Sequence, residues 1–227
     1  MQSVRDAHFR EYLYSRILNS TSIEILKELL QLSDVYIFSG VIRDYFLKRQ
    51  QETRDLDIVI EREIDWRSIY KRYRKKMKVK INSYGGFKTD INGLTIDIWS
   101  MERTWGLKQK GVCLTPQNLI RTALFNFSAI AYSVRRERFY IHKGFIEFIK
   151  TKRIGILYKD NPNIPLCIVN TMHYSQILGL PLSRELKQWI ASRYNMFDNY
   201  ETPQILHWGV VKYSHEEIHR FVSQCEV

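Results

Sequence analysis

An α+β fold, with a mixed β-sheet head flanked by helices and a mainly helical section after it, is what this sequence predicts. Three observations lead there. Short runs with strand character alternate with helical spacing over the first 135 residues. Asn92-Gly93 separates two such runs, a strong signal for a type I′ hairpin. From Thr115-Pro116 onward the spacing turns helical. The chain therefore divides into residues 1–135, the mixed head, and residues 136–227, the helical section.

The elements follow in order. Phe9, Leu13 and Ile17 give helical spacing over 5–19, and Ile23, Leu26 and Leu30 give it over 22–32, with Ser22 as a candidate cap. Val35 to Phe38 is a short apolar strand that feeds Ser39-Gly40 and a helix from about Val41 to Arg49. Residues 56–60 form the next strand. Ile64 to Met77 reads as a basic helix whose apolar side holds Trp66, Ile69, Tyr70 and Tyr73. Strands are expected over Val79–Asn82, Gly86–Ile91 and Leu94–Trp99, with Gly85-Gly86 as a turn. Thr115 followed by Pro116 marks a helix start. Asn161-Pro162-Asn163-Ile164-Pro165 is a turn before two or three closing helices.

Composition narrows the class. With 227 residues and 44% apolar content, the chain can build a sizeable core. No apolar run approaches the roughly 18 residues that span a bilayer, and Arg5, Asp6, His8, Arg10 and Glu11 break up any signal-peptide core. Cys113, Cys167 and Cys225 are odd in number and widely spaced, which fits neither a disulfide framework nor a zinc motif, so buried thiols in a reduced, cytoplasmic protein are expected. His215 and His219 are spaced for one helix face but lack a third ligand. Against 24 Asp+Glu stand 35 Lys+Arg, a net charge of +11 that favours polyanionic partners, nucleic acid above all. Lys71, Arg72, Arg74, Lys75 and Lys76 concentrate that charge in the basic helix and are its candidate nucleic-acid contacts.

The chemistry lies in the acids. Asp55 and Asp57 open a strand and, two residues apart, point to the same side about 6 to 7 Å from each other. Carboxylates that close repel unless a cation lies between them, and hard divalent ions with oxygen ligands are the usual answer. Asp97 interrupts the apolar strand Thr95-Ile96-Asp97-Ile98-Trp99, where an acid is costly to bury unless it is paired or binds metal. If the two strands adjoin, the three acids converge. Upstream, Ser39-Gly40 at a helix start is suited to phosphate. Together these features suggest a site for Mg²⁺ and a nucleoside triphosphate.

Ser39-Gly40-Val41-Ile42-Arg43-Asp44 followed by Asp55-Leu56-Asp57-Ile58 resembles the Gly-Gly-x-Val-Arg-Asp and Asp-x-Asp-Ile motifs of the nucleotidyltransferase superfamily. The nearest branch is the head of bacterial poly(A) polymerases and class II CCA-adding tRNA nucleotidyltransferases. Phe125-Asn126-Phe127-Ser128-Ala129-Ile130-Ala131-Tyr132 is similar to that family's Phe-Thr-Ile-Asn-Ala-Leu-Ala-Tyr helix, and Pro165 to Leu180 is similar to its neck segment. The match runs from about residue 35 to 185. It implies a nucleotidyltransferase-type mixed sheet and transfer of a nucleoside monophosphate from an NTP to an acceptor hydroxyl, with release of pyrophosphate. Asp55, Asp57 and Asp97 become the catalytic and metal-binding acids for two Mg²⁺ ions. Ser39, Gly40, Arg43 and Asp44 become the nucleotide-binding group.

Departures qualify that picture. Ser39 replaces the first glycine, Leu124 replaces an acid and Ser128 an asparagine. Three neck arginines become Cys167, Asn170 and His173, none of which offers a bidentate fork. The base-reading Glu-Asp-x-x-Arg motif has no counterpart, so CCA addition itself is not expected. Three readings remain: transfer to RNA such as tRNA, transfer to a protein or small molecule, and a catalytically silent nucleic-acid-binding module on the same scaffold.

Overall fold

The computed structural model describes residues 2–49, 55–75, 77–81 and 86–225, with side chains from residue 6 on. They form two compact units, Met1–Ala123 with Ser128–Phe145 and Leu124–Phe127 with Ile146–Val227.

The first unit is built on one sheet. Its strands are β1 (Val35–Phe38), β2 (Asp55–Ile60), β3 (Lys78–Ile81), β4 (Phe87–Ile91), β5 (Leu94–Ser100), β6 (Ile130–Ser133) and β7 (Arg138–Ile141). The order across the sheet is β3-β4-β5-β2-β1-β6-β7. All neighbours pair antiparallel except β2 and β5, which run parallel. Asn92 and Gly93 both take positive φ, 54° and 83°, as the expected type I′ turn requires, and the hairpin pairs Ile91 with Leu94.

Helices cover both faces. On one, Ile25 of α2 (Ser20–Leu32) and Trp66 and Ile69 of α4 (Trp66–Tyr73) close over Ile96 and Ile98, with the Trp66 ring 4.6 Å from that of Phe87. Phe9 of α1 (Gln2–Tyr12) meets Tyr132 and Phe139 at 4.9 and 5.1 Å. On the other face, Leu107 of α5 (Trp105–Lys110) and Leu119 and Ile120 of α6 (Pro116–Arg121) bury Tyr36, Val59 and Ala131, with Phe38 and Trp99 packed against them. Thr115 caps α6 through Oγ1, which accepts from Asn118 N at 3.2 Å. The cap of α2 is Asn19; Ser22 is its partner in a reciprocal capping box. A π-helical turn, Leu13–Ile17, ends the first helical stretch.

Residues 125–132 are not helical beyond one 3₁₀ turn at Asn126–Ser128. Ile130–Ser133 instead completes the sheet beside β1, with Phe38 opposite Ala131 and Tyr36 opposite Ser133, and β7 pairs in turn with β6. β6 and β7 pair across residue 135, and the first unit runs on to Phe145, while Leu124–Phe127 belong to the second. Cys113 is exposed, whereas Cys167 and Cys225 are buried. Gly85 and Asn82 lie outside the described residues.

The second unit is helical, as the spacing predicts: α8 (Ile164–Leu178), α9 (Arg184–Tyr194), α10 (Glu201–Trp208) and α11 (His215–Ser223), preceded by the end of α7 (Lys143–Thr151). Asn163 caps α8, its Oδ1 accepting from Leu166 N at 3.2 Å. No described helix is long and apolar enough to cross a membrane. The segment between α10 and α11 is held by one fully buried side chain. Gln204 Nε2 donates to Tyr200 O and Tyr213 O at 3.0 and 2.9 Å, and its Oε1 accepts from Lys212 N and Tyr213 N at 3.0 and 2.9 Å. Gln204→Leu fills a similar volume but strips partners from several backbone groups at once. A loss of about 2–4 kcal/mol in urea unfolding is expected; a change under about 0.5 kcal/mol, the ordinary level for a surface substitution, would show the network to be idle.

Candidate functional site

The site begins with a register. In the parallel pair, Asp57 lies opposite Asp97 and Asp55 opposite Thr95; in the antiparallel pair, Phe38 lies opposite Asp57. Directly opposed residues share a face of the sheet. Alternation along β5 buries Ile96 and Ile98 on one side and leaves Thr95, Asp97 and Trp99 half-buried on the other. The Asp57 and Asp97 carboxylates therefore stand side by side. Phe38 and Trp99, ring centroids 6.3 Å apart in a T-shape, form an apolar floor next to them.

Burial sets the charge of Asp57. Loss of water pushes its pKa up from 3.8 to about 7, and Asp97 and then Asp55 push the same way, against the smaller opposing pull of Lys88 and Arg43. The register puts all three acids on one face of the sheet, Asp57 beside Asp97 and Asp55 two residues before Asp57. Asp55 acts on Asp57 through its charge but is exposed at the start of β2. Among the described residues, no group of three or more His, Cys, Asp or Glu could hold a metal ion. The donor set nevertheless fits Mg²⁺, which typically takes one or two carboxylates and completes its shell with water and substrate phosphates rather than a protein cage.

Beside the acids, α3 (Gly40–Leu47) begins at the end of β1. A Cβ added to Gly40 would lie 4.0 Å from Asp57 Oδ2, so the first turn of the helix comes up against the carboxylate. Ser39 precedes it at φ 57°, ψ −99°, and its side chain does not cap the helix. Its backbone is nonetheless held, with Ser39 N donating to Ile130 O at 3.1 Å and Arg43 N donating to Ser39 O at 2.9 Å. The first-turn N–H groups thus carry the positive end of the helix dipole without a side-chain cap from Ser39. Arg43 grips Asp44 with two bonds, Nε to Oδ1 at 2.7 Å and Nη2 to Oδ2 at 3.0 Å, both side chains largely buried. This pairing stiffens the first turn of α3.

The basic helix lies elsewhere. Trp66 and Ile69 of α4 pack with Ile96 and Ile98, the face opposite Asp97, so Lys71, Arg72, Arg74 and Lys75 are separated from the acids by the sheet. Arg72 is moreover paired with Glu28 at 2.9 Å, and Lys76 lies outside the described residues. Tyr70, expected on the apolar side, is 43% exposed. Sequence reasoning missed Lys88, which stands directly across from Asp97 on β4. The signal was available: a two-residue Asn92-Gly93 turn pairs Ile91 with Leu94, which fixes Lys88 opposite Asp97 three residues along each strand.

Cys167 and His173, two of the positions where the resembled family has arginines, are used within the second unit. Cys167 is buried and its thiol is pushed up to about 12. His173 Nδ1 shares a 2.8 Å hydrogen bond with Tyr213 Oη, and burial, then Lys212 and His207, bring its pKa down to about 4. Neither carries positive charge at neutral pH.

No family model matches the chain, and no curated protein matches it significantly. Solved structures do. A CCA-adding enzyme in complex with ATP aligns over 96% of this chain and 54% of its own, with TM-score 0.67 and 16% identity. A tRNA-processing enzyme in an apo form aligns over 92% and 58%, with TM-score 0.62 and 19% identity. A tRNA nucleotidyltransferase complexed with a primer tRNA and an incoming ATP analogue aligns over 76% and 49%, with TM-score 0.55 and 21% identity. The chain thus spans about half the length of these solved chains. What the likeness shows is the fold: a mixed sheet with flanking helices, followed by a helical section.

Two predictions follow from the site's backbone and charge. At φ 57° a side chain costs roughly 1–3 kcal/mol of strain. Ser39→Gly should leave the melting midpoint unchanged or raised, and Ser39→Val should lower stability by about 2 kcal/mol; the reverse order would mean the turn is relaxed. For Asp57, the unfolded chain loses its proton near pH 4 and the folded chain near 7. Between those values the native state binds more protons, so in chelator this group makes the protein less stable as pH rises from 4 to 7. The stability difference between Asp57→Asn and wild type should therefore move in the variant's favour across that window and level off above it. A flat difference would contradict the raised pKa.

Proposed function

We propose that this chain is a metal-dependent nucleotidyltransferase that moves a nucleoside monophosphate from an NTP to an acceptor hydroxyl, with RNA such as tRNA as the acceptor. The observation that carries this reading is the adjacency of Asp57 and Asp97 on parallel strands, with Gly40 at a helix start 4.0 Å from Asp57 Oδ2. Carboxylates and a phosphate-suited helix start are thereby joined in one place. The solved relatives with ATP, and with primer tRNA and an ATP analogue, support the nucleotide and the acceptor class.

In this reading, Asp55 and Asp57 would hold Mg²⁺, with Asp97 beside them, and the bound cations would neutralise charge on the attacking and leaving oxygens. The N–H groups at the start of α3 receive the triphosphate where the Ser39-Gly40 turn leaves room for it. Arg43, fixed by Asp44, keeps the helix and its charge in place. An acceptor hydroxyl oxygen then bonds to the α-phosphorus in line with the departing group. The α–β P–O bond breaks, pyrophosphate leaves, and the hydroxyl proton passes to Asp97 or to solvent.

One alternative has a specific observation behind it. Cys167 and His173, where the resembled family has arginines, are uncharged and used in internal packing. That favours either an acceptor other than tRNA or a silent scaffold. Incubation of α-labelled nucleotides and Mg²⁺ with RNA, with protein and with small acceptors separates these. Transfer to RNA is expected, with Asp57→Asn folded and at least about a thousandfold slower, the scale of several kcal/mol of charge stabilisation. A folded Asp57→Asn with wild-type transfer would overturn the site. If no acceptor is labelled and no nucleotide raises the wild-type melting midpoint with Mg²⁺, the scaffold is silent.

A further inference from the structure

We propose that Lys80 and Lys88 form a subsite for the phosphodiester groups of a nucleic-acid acceptor strand, on the side of the acid pair away from α3. This deepens the nucleotidyl-transfer reading and rests on it for the identity of the bound strand as acceptor.

A row of opposed residues runs across the sheet. Lys80 of β3 is opposed to Lys88 of β4, Lys88 to Asp97 of β5, Asp97 to Asp57 of β2, and Asp57 to Phe38 of β1. Opposed residues share a face, and each step along the row is about 5 Å. Two cations therefore continue the line of the two acids on the same surface. On the far side of the acids, Phe38 leads directly into Ser39 and the start of α3.

Two directly opposed lysines are unfavourable for the sheet itself. Lysines on an edge strand keep it from pairing with other chains, which accounts for Lys78 and Lys80. Lys88, on an interior strand between β3 and β5, is opposed to Asp97 on one side, which favours it, and to Lys80 on the other, which does not. Both Lys80 and Lys88 are exposed, so a bound anion can reach them. Lys88 is also near enough for its charge to be felt at Asp57.

Reaction geometry supplies the direction. In-line transfer puts the leaving pyrophosphate and the attacking oxygen on opposite sides of the α-phosphorus. With the leaving group at the α3 turn, the attacking hydroxyl enters from the Asp97 side, where the lysines stand. A protein or small-molecule hydroxyl has no need of successive cations there. A nucleic-acid end brings a phosphodiester chain behind its terminal hydroxyl, and paired lysines match it.

The test is binding of labelled single-stranded RNA and DNA oligonucleotides by the full chain, in chelator and without NTP, over a series of salt concentrations. Lys80→Gln/Lys88→Gln should fold cooperatively and bind RNA about tenfold or more weakly at low salt. Loss of two phosphate contacts should reduce the slope of log K against log salt by about 1.4. Lys80→Arg/Lys88→Arg should restore binding, and Lys71→Gln/Arg74→Gln on the opposite face should fall well short of the loss. Equal effects on RNA and DNA mark a backbone subsite, and a loss confined to RNA marks one that also reads the ribose. Wild-type affinity and slope in the Lys80/Lys88 variant would overturn the subsite, as would transfer to a protein acceptor at the wild-type rate in that variant. Those results leave nucleotidyl transfer standing if Mg²⁺ and NTP still raise the melting midpoint. Absence of that rise in the wild type defeats the transfer reading, while loss of RNA affinity in the variant would still establish the phosphate contacts.

Discussion

Electrostatic repulsion between two neighbouring aspartates is the constraint around which the first unit is organised. The parallel pairing of β2 with β5 sets Asp57 against Asp97, and partial burial reduces the water that screens them. Left to itself, the arrangement holds a proton on Asp57 toward neutral pH. Natural sequences place acids this way where a cation or a proton is part of the chemistry, because a salt-bridging lysine or an apolar side chain would be cheaper for folding alone. Here the nearby positive groups, Lys88 and Arg43, offset only part of the repulsion.

Everything else at the site is placed by the strands on either side of that pair. β1 runs antiparallel to β2 and delivers Phe38 opposite Asp57, so the chain must turn sharply at Ser39 to start α3 over the sheet. A residue with φ 57° there carries strain that glycine would avoid. Its backbone bonds to Ile130 and Arg43 hold the turn in spite of that. On the other flank, the Asn92-Gly93 turn fixes the register that brings Lys88 to Asp97. The same alternation that aims the acids at one face buries Ile96 and Ile98 on the other, under α4. Sheet register thus decides both what can meet at the site and what cannot, the basic helix included.

The sequence made β1, α3, β2 and the β4–β5 hairpin legible, because each carries a local signal: an apolar run into Ser39-Gly40, paired acids at a strand start, Asn92-Gly93 between alternating residues. Asp57 and Asp97 could be paired in thought once those strands were assumed to adjoin. β6 was not legible. Ile130-Ala131-Tyr132-Ser133 is buried throughout, so it shows no alternation, and its alanine content suits a helix. Only distant pairing with β1 makes it a strand. The place of α4 was hidden for a related reason, since a run of charges reveals an exposed side but not which face of a sheet lies beneath it.

Nucleotidyl transfer at this site requires a divalent cation and a triphosphate to meet at Asp57. A crystal grown with Mn²⁺ and a non-hydrolysable nucleoside triphosphate, recorded at a wavelength where manganese scatters anomalously, examines that directly. An anomalous peak within about 2.5 Å of an Asp57 carboxylate oxygen, with phosphate density at the N-terminus of α3, is the expected result. A peak or triphosphate located elsewhere on the molecule, with the Asp57 and Asp97 carboxylates bare, would contradict it.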